Sequence, residues 1–444
     1  MKAVVATIII LALLSGSANA EDSQRAGGPQ RTIEDFSRAI RLDPHNAIAY
    51  NERGNIYQLD GKFKEAIDDF TTVIRLLPHS ATAYQNRGLT YVKSGDFARG
   101  LADLNEALKR GASSMQVYQG RGVAYVETGD FEKGIADFTE AIARGPTAIS
   151  YNSRGSAYAM QGKFERAIAD YDAALRLEPE NAGVYRNRGS ARVNNGDIEQ
   201  GIADINEAIR LDGKNAQSFN LRGGAYMRGG AYGLKRDFER AIADFNRAIE
   251  LNPNGAESYR NLGVAQSESG KVEVAIASFD KALALNPRDD VALGGRGFTR
   301  YRLGDFNGAF EDLNAALELN PNNADNYNNR GELYRRDGQL DRAVADFDRA
   351  LKLNPRQRSA RHNRGLVLLL MRKYGEAISD FDQAIEMNLA DEETYYGRAV
   401  AFQKAGRTDD ALADLDQALL INPRFYKALD LRAAIKDGKP IIPR

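Results

Sequence analysis

A tyrosine returns about every 34 residues through most of this chain. Tyr50, Tyr84, Tyr118, Tyr151 and Tyr185 stand 34, 34, 33 and 34 apart, Phe219 follows after 34, Tyr259 after 40, and Tyr327 after 68. Self-similarity at a period of roughly 20–50 residues marks a stack of small units, none of which buries a core alone. It overrides the ordinary expectation of separate globular domains for 444 residues. Counted from three residues before the aromatic, eleven units begin at Ala47, Ala81, Met115, Ala148, Ala182, Ala216, Ala256, Asp290, Ala324, Arg358 and Glu392, and the last ends at Phe425.

Each unit reads as two helices. In the first, AIAYNERGNIYQLDGKFKEAIDDFTTVIRLLPHS, apolar groups recur at spacings of three and four. Gly61 interrupts them where a helix ends on a residue at positive φ. Phe63, Ala66, Ile67, Phe70, Val73 and Ile74 form a second series, which Pro78 stops. Gly54 recurs at the same place in ten units. A glycine inside a helix costs about 1 kcal/mol relative to alanine, so its repetition predicts close approach of two helices there. The fold class is all-α.

These residues resemble the tetratricopeptide repeat (TPR) family. Unit 1 supplies Tyr50, Arg53-Gly54, Tyr57, Ala66, Phe70, Val73 and Pro78; unit 4 supplies Tyr151, Arg154-Gly155, Tyr158, Ala167, Tyr171, Ala174 and Pro179. Unit 9 supplies Tyr327, Arg330-Gly331, Tyr334, Ala343, Phe347, Ala350 and Pro355. The resemblance implies a right-handed superhelical solenoid of helical hairpins. Its first helices would line a concave groove that binds peptides or helices of partner proteins. A half repeat at 32–46 precedes the array of eleven repeats at 47–425, and a capping helix at 426–437 follows it. Residues 21–31 read as a flexible leader and 438–444 as a tail.

Residues 1–20 carry an address. A positive start, a 12-residue apolar run from Ala3 to Leu14, and Ala18-Asn19-Ala20 form the pattern of a cleaved secretory signal peptide. The run is shorter than the ~20 residues a membrane span needs. An exported TPR protein of bacterial type is expected, periplasmic or alternatively secreted, with no membrane span after signal removal.

The array departs from the family pattern at two positions. Position 7 of a repeat, usually large and apolar, is arginine in ten of eleven repeats, and position 23 is aspartate in ten. Both exceptions, Leu262 and Ser278, fall in repeat 7. A bidentate bridge inside each hairpin, as Arg154–Asp170 or Arg330–Asp346, is the simplest account. A bridge to the neighbouring hairpin is the other, since Asp35 and Arg432 stand at these positions in the incomplete end units. Repeat 6 holds six extra residues around 229–235, read as a neutral loop rather than a contact loop.

Groove positions 2, 5, 6, 9, 12 and 13 carry the binding expectation. Asn86, Asn187, Asn261, Asn329 and Asn363 occupy position 6, where a side-chain amide can pair with a peptide backbone. The alternative is a hydrated helix face. In repeat 10, Leu366, Leu369 and Leu370 form an apolar group beside Tyr396 and Val400 of repeat 11, with Arg335, Arg336 and His362 as a polar surround. The alternative there is that the leucines pack inside.

Composition narrows the chemistry. Lys+Arg number 60 and Asp+Glu 61, for a net charge of −1, which gives no general attraction to nucleic acid. The chain has no cysteine and three histidines. His45 and His79 sit in equivalent turns, unlike metal ligands. No catalytic residue, metal or cofactor is expected. The expected function is a non-catalytic scaffold or adaptor for a protein or peptide, with self-association left open. The alternative is a structural part of an envelope assembly exporting polysaccharide or pili.

Overall fold

The structure is a computed structural model and describes residues 32–229 and 237–437. The expected signal peptide, leader and tail, and all of the repeat 6 insertion except Gly229, lie outside the described residues. Among the described residues there are 24 helices and no strand. The chain divides into two units, one ending at Arg236 and the other beginning at Asp237.

In the first unit, α1 (Ile33–Leu42) precedes five hairpins. They are α2 (Ala47–Leu59) with α3 (Phe63–Leu76), α4 (Ala81–Lys93) with α5 (Phe97–Lys109), α6 (Met115–Glu127) with α7 (Phe131–Arg144), α8 (Ala148–Met160) with α9 (Phe164–Leu177), and α10 (Ala182–Asn195) with α11 (Ile198–Leu211); α12 (Ala216–Arg228) follows. In the second unit, α13 (Phe238–Leu251) precedes five more: α14 (Ala256–Glu268) with α15 (Val272–Leu285), α16 (Asp290–Leu303) with α17 (Phe306–Leu319), α18 (Ala324–Arg336) with α19 (Leu340–Leu353), α20 (Arg358–Leu370) with α21 (Tyr374–Glu386), and α22 (Glu392–Lys404) with α23 (Thr408–Ile421); α24 (Tyr426–Lys436) closes it. Even-numbered helices are first helices. Within each of the ten hairpins the first helix packs on its second, and within a unit most consecutive first helices also touch.

Local chemistry sets these boundaries. The residue before most first helices is Asn, Ser, Thr or Asp, and its side chain accepts an N–H of the first turn, as Asn46 does from Ala49 and Ser80 from Ala83. Gly61 leaves the helix at φ +73°, and the equivalent glycines of eight other hairpins also have positive φ. Repeat 10 has Arg372 at that place, at φ +62°.

Core side chains come mainly from the second helices. Phe70, Phe138, Phe279, Phe347 and Phe381, all at position 24, are buried. They explain the recurrent glycine at position 8. A Cβ added at Gly54, Gly122 or Gly331 would come within 2.8 Å of the ring at position 24. Repeat 11 carries Ala399 at position 8 and the smaller Leu415 at position 24, both fully buried. The glycine therefore makes room for the position 24 side chain, and at Gly122, Gly155 and Gly189 a backbone oxygen of the second helix also lies 2.8–3.2 Å from the added Cβ, the close helix approach that the sequence predicted.

Candidate functional site

Nine arginines at position 7 grip the aspartate of their own hairpin through two nitrogens. Arg154 Nε donates to Asp170 Oδ2 at 2.8 Å and its terminal nitrogen to Oδ1 at 2.7 Å; Arg330 does the same to Asp346 at 2.8 and 2.9 Å. The remaining nitrogen donates to position 25 of the preceding hairpin: Arg154 to Thr139 Oγ1 at 3.0 Å, Arg330 to Asn314 Oδ1 at 2.8 Å. The Arg–Asp bridge is thus the one within the hairpin, and the neighbouring hairpin is reached through position 25 rather than through its own position 23 aspartate. Tyrosines at positions 4 and 11 flank it, Tyr327 and Tyr334 at 5.6 and 5.8 Å from Arg330. Hydrogen bonding to Asp346 holds the Arg330 pKa above its usual value against the opposing effect of burial. Saturated this way, the arginine row is structural and offers little to an anionic ligand.

The sequence reading missed position 25. It is a hydrogen-bond acceptor in every repeat, from Thr71 and Asn105 to Asp382 and Asp416, and that regularity was the available signal. Repeat 7 loses the ion pair without leaving a stranded charge: Leu262 is buried, and Ser278 Oγ donates to Gln266 Oε1 at 2.7 Å.

The position 6 amides pair with one another. Asn86 donates to Asn51 at 3.0 Å, Asn187 to Asn152 at 2.9 Å and Asn363 to Asn328 at 3.1 Å, each reaching position 5 of the preceding first helix. Asn329 accepts from its neighbour Asn328 at 3.3 Å. Asn261 has no side-chain partner among the described residues. Three of the five therefore stitch repeats together, leaving part of their donor capacity for a ligand.

The repeat 10 leucines divide. Leu366 and Leu369 are half-buried against Leu368, Ala377, Phe381 and Ala401. Leu370 is 58% exposed. Tyr396 is half-buried, edge-on to Phe425 at 5.5 Å between centroids. Each member of the expected polar surround has a partner within the protein, and Arg336 is exposed. Arg335 is bound to Glu332, Arg336 lies over the Phe306 ring at 4.2 Å, and His362 lies edge-on to Phe381 at 5.9 Å. Burial lowers the His362 pKa, with Asp391 and Glu393 opposing and Arg358 and Lys427 assisting.

Exposed apolar groups also appear where none was expected. Repeat 8 presents Val291 and Phe298 at positions 2 and 9, Phe298 being 39% exposed, and repeat 1 presents Ile48 and Leu59. The same six positions read in repeat 8 would have found Phe298. Among the described residues no group of three or more His, Asp or Glu could hold a metal ion. No described helix is long and apolar enough to cross a membrane.

Family comparisons agree with the hairpin geometry. The tetratricopeptide repeat family matches residues 47–80, 86–149, 120–182 and 186–234, and a TPR repeat family matches 231–270. The ETO1 C-terminal domain matches residues 255–440. No curated protein matches the chain. Among solved structures, the APC/C hetero-tetramer Cut9–Hcn1 is similar at 15% identity, covering 97% of this chain and 98% of that chain with a TM-score of 0.54. A tetratricopeptide repeat protein from Parabacteroides merdae covers 57% of this chain and 98% of its own (19% identity, TM-score 0.48). Yeast Tom70 covers 88% of each (20% identity, TM-score 0.42).

Proposed function

Since this chain is a tetratricopeptide-repeat protein, we propose that it is a non-catalytic scaffold that holds an apolar-anchored peptide segment of a partner protein against its first helices. The observation that carries this reading is the exposure of Val291, Phe298 and Leu370 on first helices of the second unit. Exposed aromatic and aliphatic groups amid polar surface are the usual anchors of a protein contact. The half-buried Leu366 and Leu369 share α20 with Leu370, the half-buried Tyr396 stands on the next first helix, α22, and the amide pairs supply spare donors for a backbone. The protein works in the bacterial periplasm, after cleavage behind Ala20. The 12-residue apolar run and the Ala18-Asn19-Ala20 site support that location, and N-terminal sequencing should find Glu21 first.

The binding test uses peptides selected from a displayed random library by panning on the protein. Phe298→Glu and Leu370→Glu should each weaken the selected peptides at least tenfold with little change in thermal unfolding. Leu369→Glu should also cost stability, because Leu369 is half core. Unchanged affinity in the first two variants overturns the reading.

A further inference from the structure

Arg186, at position 5 of repeat 5, is 8% exposed, and its Nε is buried with no hydrogen-bond partner among the described residues. A guanidinium stays charged inside a protein, so burying one without an acceptor is costly. Burial pushes the Arg186 pKa down, and Asp212 opposes this through its charge alone, with no hydrogen bond between them.

Repeat 7 shows the same side chain satisfied. Arg260, also at position 5, donates one terminal nitrogen to Asp289 Oδ2 at 3.0 Å and the other to Glu257 Oε1 at 3.5 Å. These carboxylates stand at positions 34 and 2, where repeat 5 has Asn215 and Gly183. Arg186 takes a similar course along its helix, because a terminal nitrogen lies 3.9 Å from where a Cβ on Gly183 would stand. Asn215 and Asp289 share a backbone conformation, φ −87° and ψ 103° against φ −84° and ψ 94°. Each caps the next first helix through Oδ1: Asn215 accepts from Ser218 N at 3.1 Å and Asp289 from Ala292 N at 3.0 Å. The other terminal atom of Asp289 is the acceptor that holds Arg260. In Asn215 that atom is Nδ2, a donor. By register, repeat 5 therefore sets donor against donor at the start of α12, and no side chain at position 2 fills the place of Glu257.

We propose that Arg186 and Asn215 form a binding site for a peptide carboxylate, from an acidic side chain or a free C-terminus, which takes the place that Asp289 and Glu257 fill in repeat 7. The guanidinium and the Asn215 amide donate to its oxygens, and the positive end of α12 adds to the attraction. A single negative charge suits the site, because Asp212 already acts on Arg186 and would repel a phosphate dianion more strongly. The site lies in the first unit and uses none of Val291, Phe298 and Leu370, so it goes beyond the apolar contact and is tested apart from it.

The test follows the Arg186 Nε–H resonance of the protein, assigned by its disappearance in Arg186→Gln. The probes are acetate, an end-blocked peptide with one internal glutamate, an N-acetylated peptide with a free C-terminus and no acidic side chain, and inorganic phosphate. Saturable shifts with acetate and with at least one peptide are expected, and the tighter peptide tells side chain from terminus. Asn215→Asp keeps the helix cap and supplies the carboxylate from within, as Asp289 does. It should raise the melting temperature and weaken the carboxylate probes roughly tenfold or more. No saturable shift with either peptide overturns the proposal. So does phosphate binding more tightly than both peptides, or an affinity that Asn215→Asp leaves unchanged.

Discussion

Removing Arg330 alone should destabilise its hairpin more than removing Arg330 and Asp346 together. Asp346 is 7% exposed and takes two charged hydrogen bonds from Arg330, at 2.8 and 2.9 Å. Arg330→Leu strands that carboxylate and also frees Asn314. Breaking a fully buried pair from one side costs ~3–5 kcal/mol. The Arg330 side chain keeps 20% of its exposure, so solvent screening lowers the figure to about 2–3 kcal/mol for either single variant. Arg330→Leu/Asp346→Ser copies the Leu262 and Ser278 of repeat 7, where leucine is buried and no charge is stranded. Its loss should be about 1–2 kcal/mol, against about 5 kcal/mol for the singles summed, a coupling of roughly 3 kcal/mol. Stability in a repeat array is a sum of local terms. Urea unfolding should therefore be paired with hydrogen exchange read separately over α18 and α19. Strictly additive losses would refute the reasoning, because the two side chains would then contribute independently.

Other perturbations test the packing account. Gly331→Ala drives a methyl to 2.8 Å from the Phe347 ring and should cost about 1–3 kcal/mol; adding Phe347→Leu, the pairing used by Ala399 and Leu415, should recover part of it in chemical unfolding. Arg372→Gly relieves a left-handed residue at φ +62° and should stabilise by about 1 kcal/mol in the same assay. His362 is neutral by preference in the fold because burial lowers its pKa, whereas the unfolded chain protonates it near pH ~6.5. Its contribution is complete above about pH 6.5 and is lost as pH falls from there through the lower folded value. His362→Phe should flatten the decline in melting temperature in that window.

The fold was legible because one period governs everything. Tyrosine, glycine, proline and the position 7 arginine recur together, so an error in one repeat is corrected by ten others. The Arg–Asp bridge was legible in kind, since an aspartate follows nine of the ten arginines after sixteen residues, and Arg222 after twenty-two across the insertion. Its third arm was not, because position 25 alternates among Ser, Thr, Asn and Asp and looks variable until their shared acceptor chemistry is recognised. The binding face was read less well. A helical count places Leu369 and Leu370 side by side, yet their neighbours decide that Phe381 and Ala401 half-cover one and leave the other in solvent. Arg335, Arg336 and His362 looked like a charged rim on spacing alone. Glu332, the Phe306 ring and the Phe381 ring engage them, through contacts that no periodicity records.

The central claim is that partners meet the first helices and not the second. A photoreactive residue placed singly at Phe298, Leu370 or Ala345 measures this directly in the presence of a panned peptide. Ala345 is an exposed position on the second helix α19. Peptide adducts at Phe298 and Leu370, with none at Ala345, are the predicted result. Adducts at Ala345 equal to or exceeding those at Phe298 and Leu370 would contradict the account.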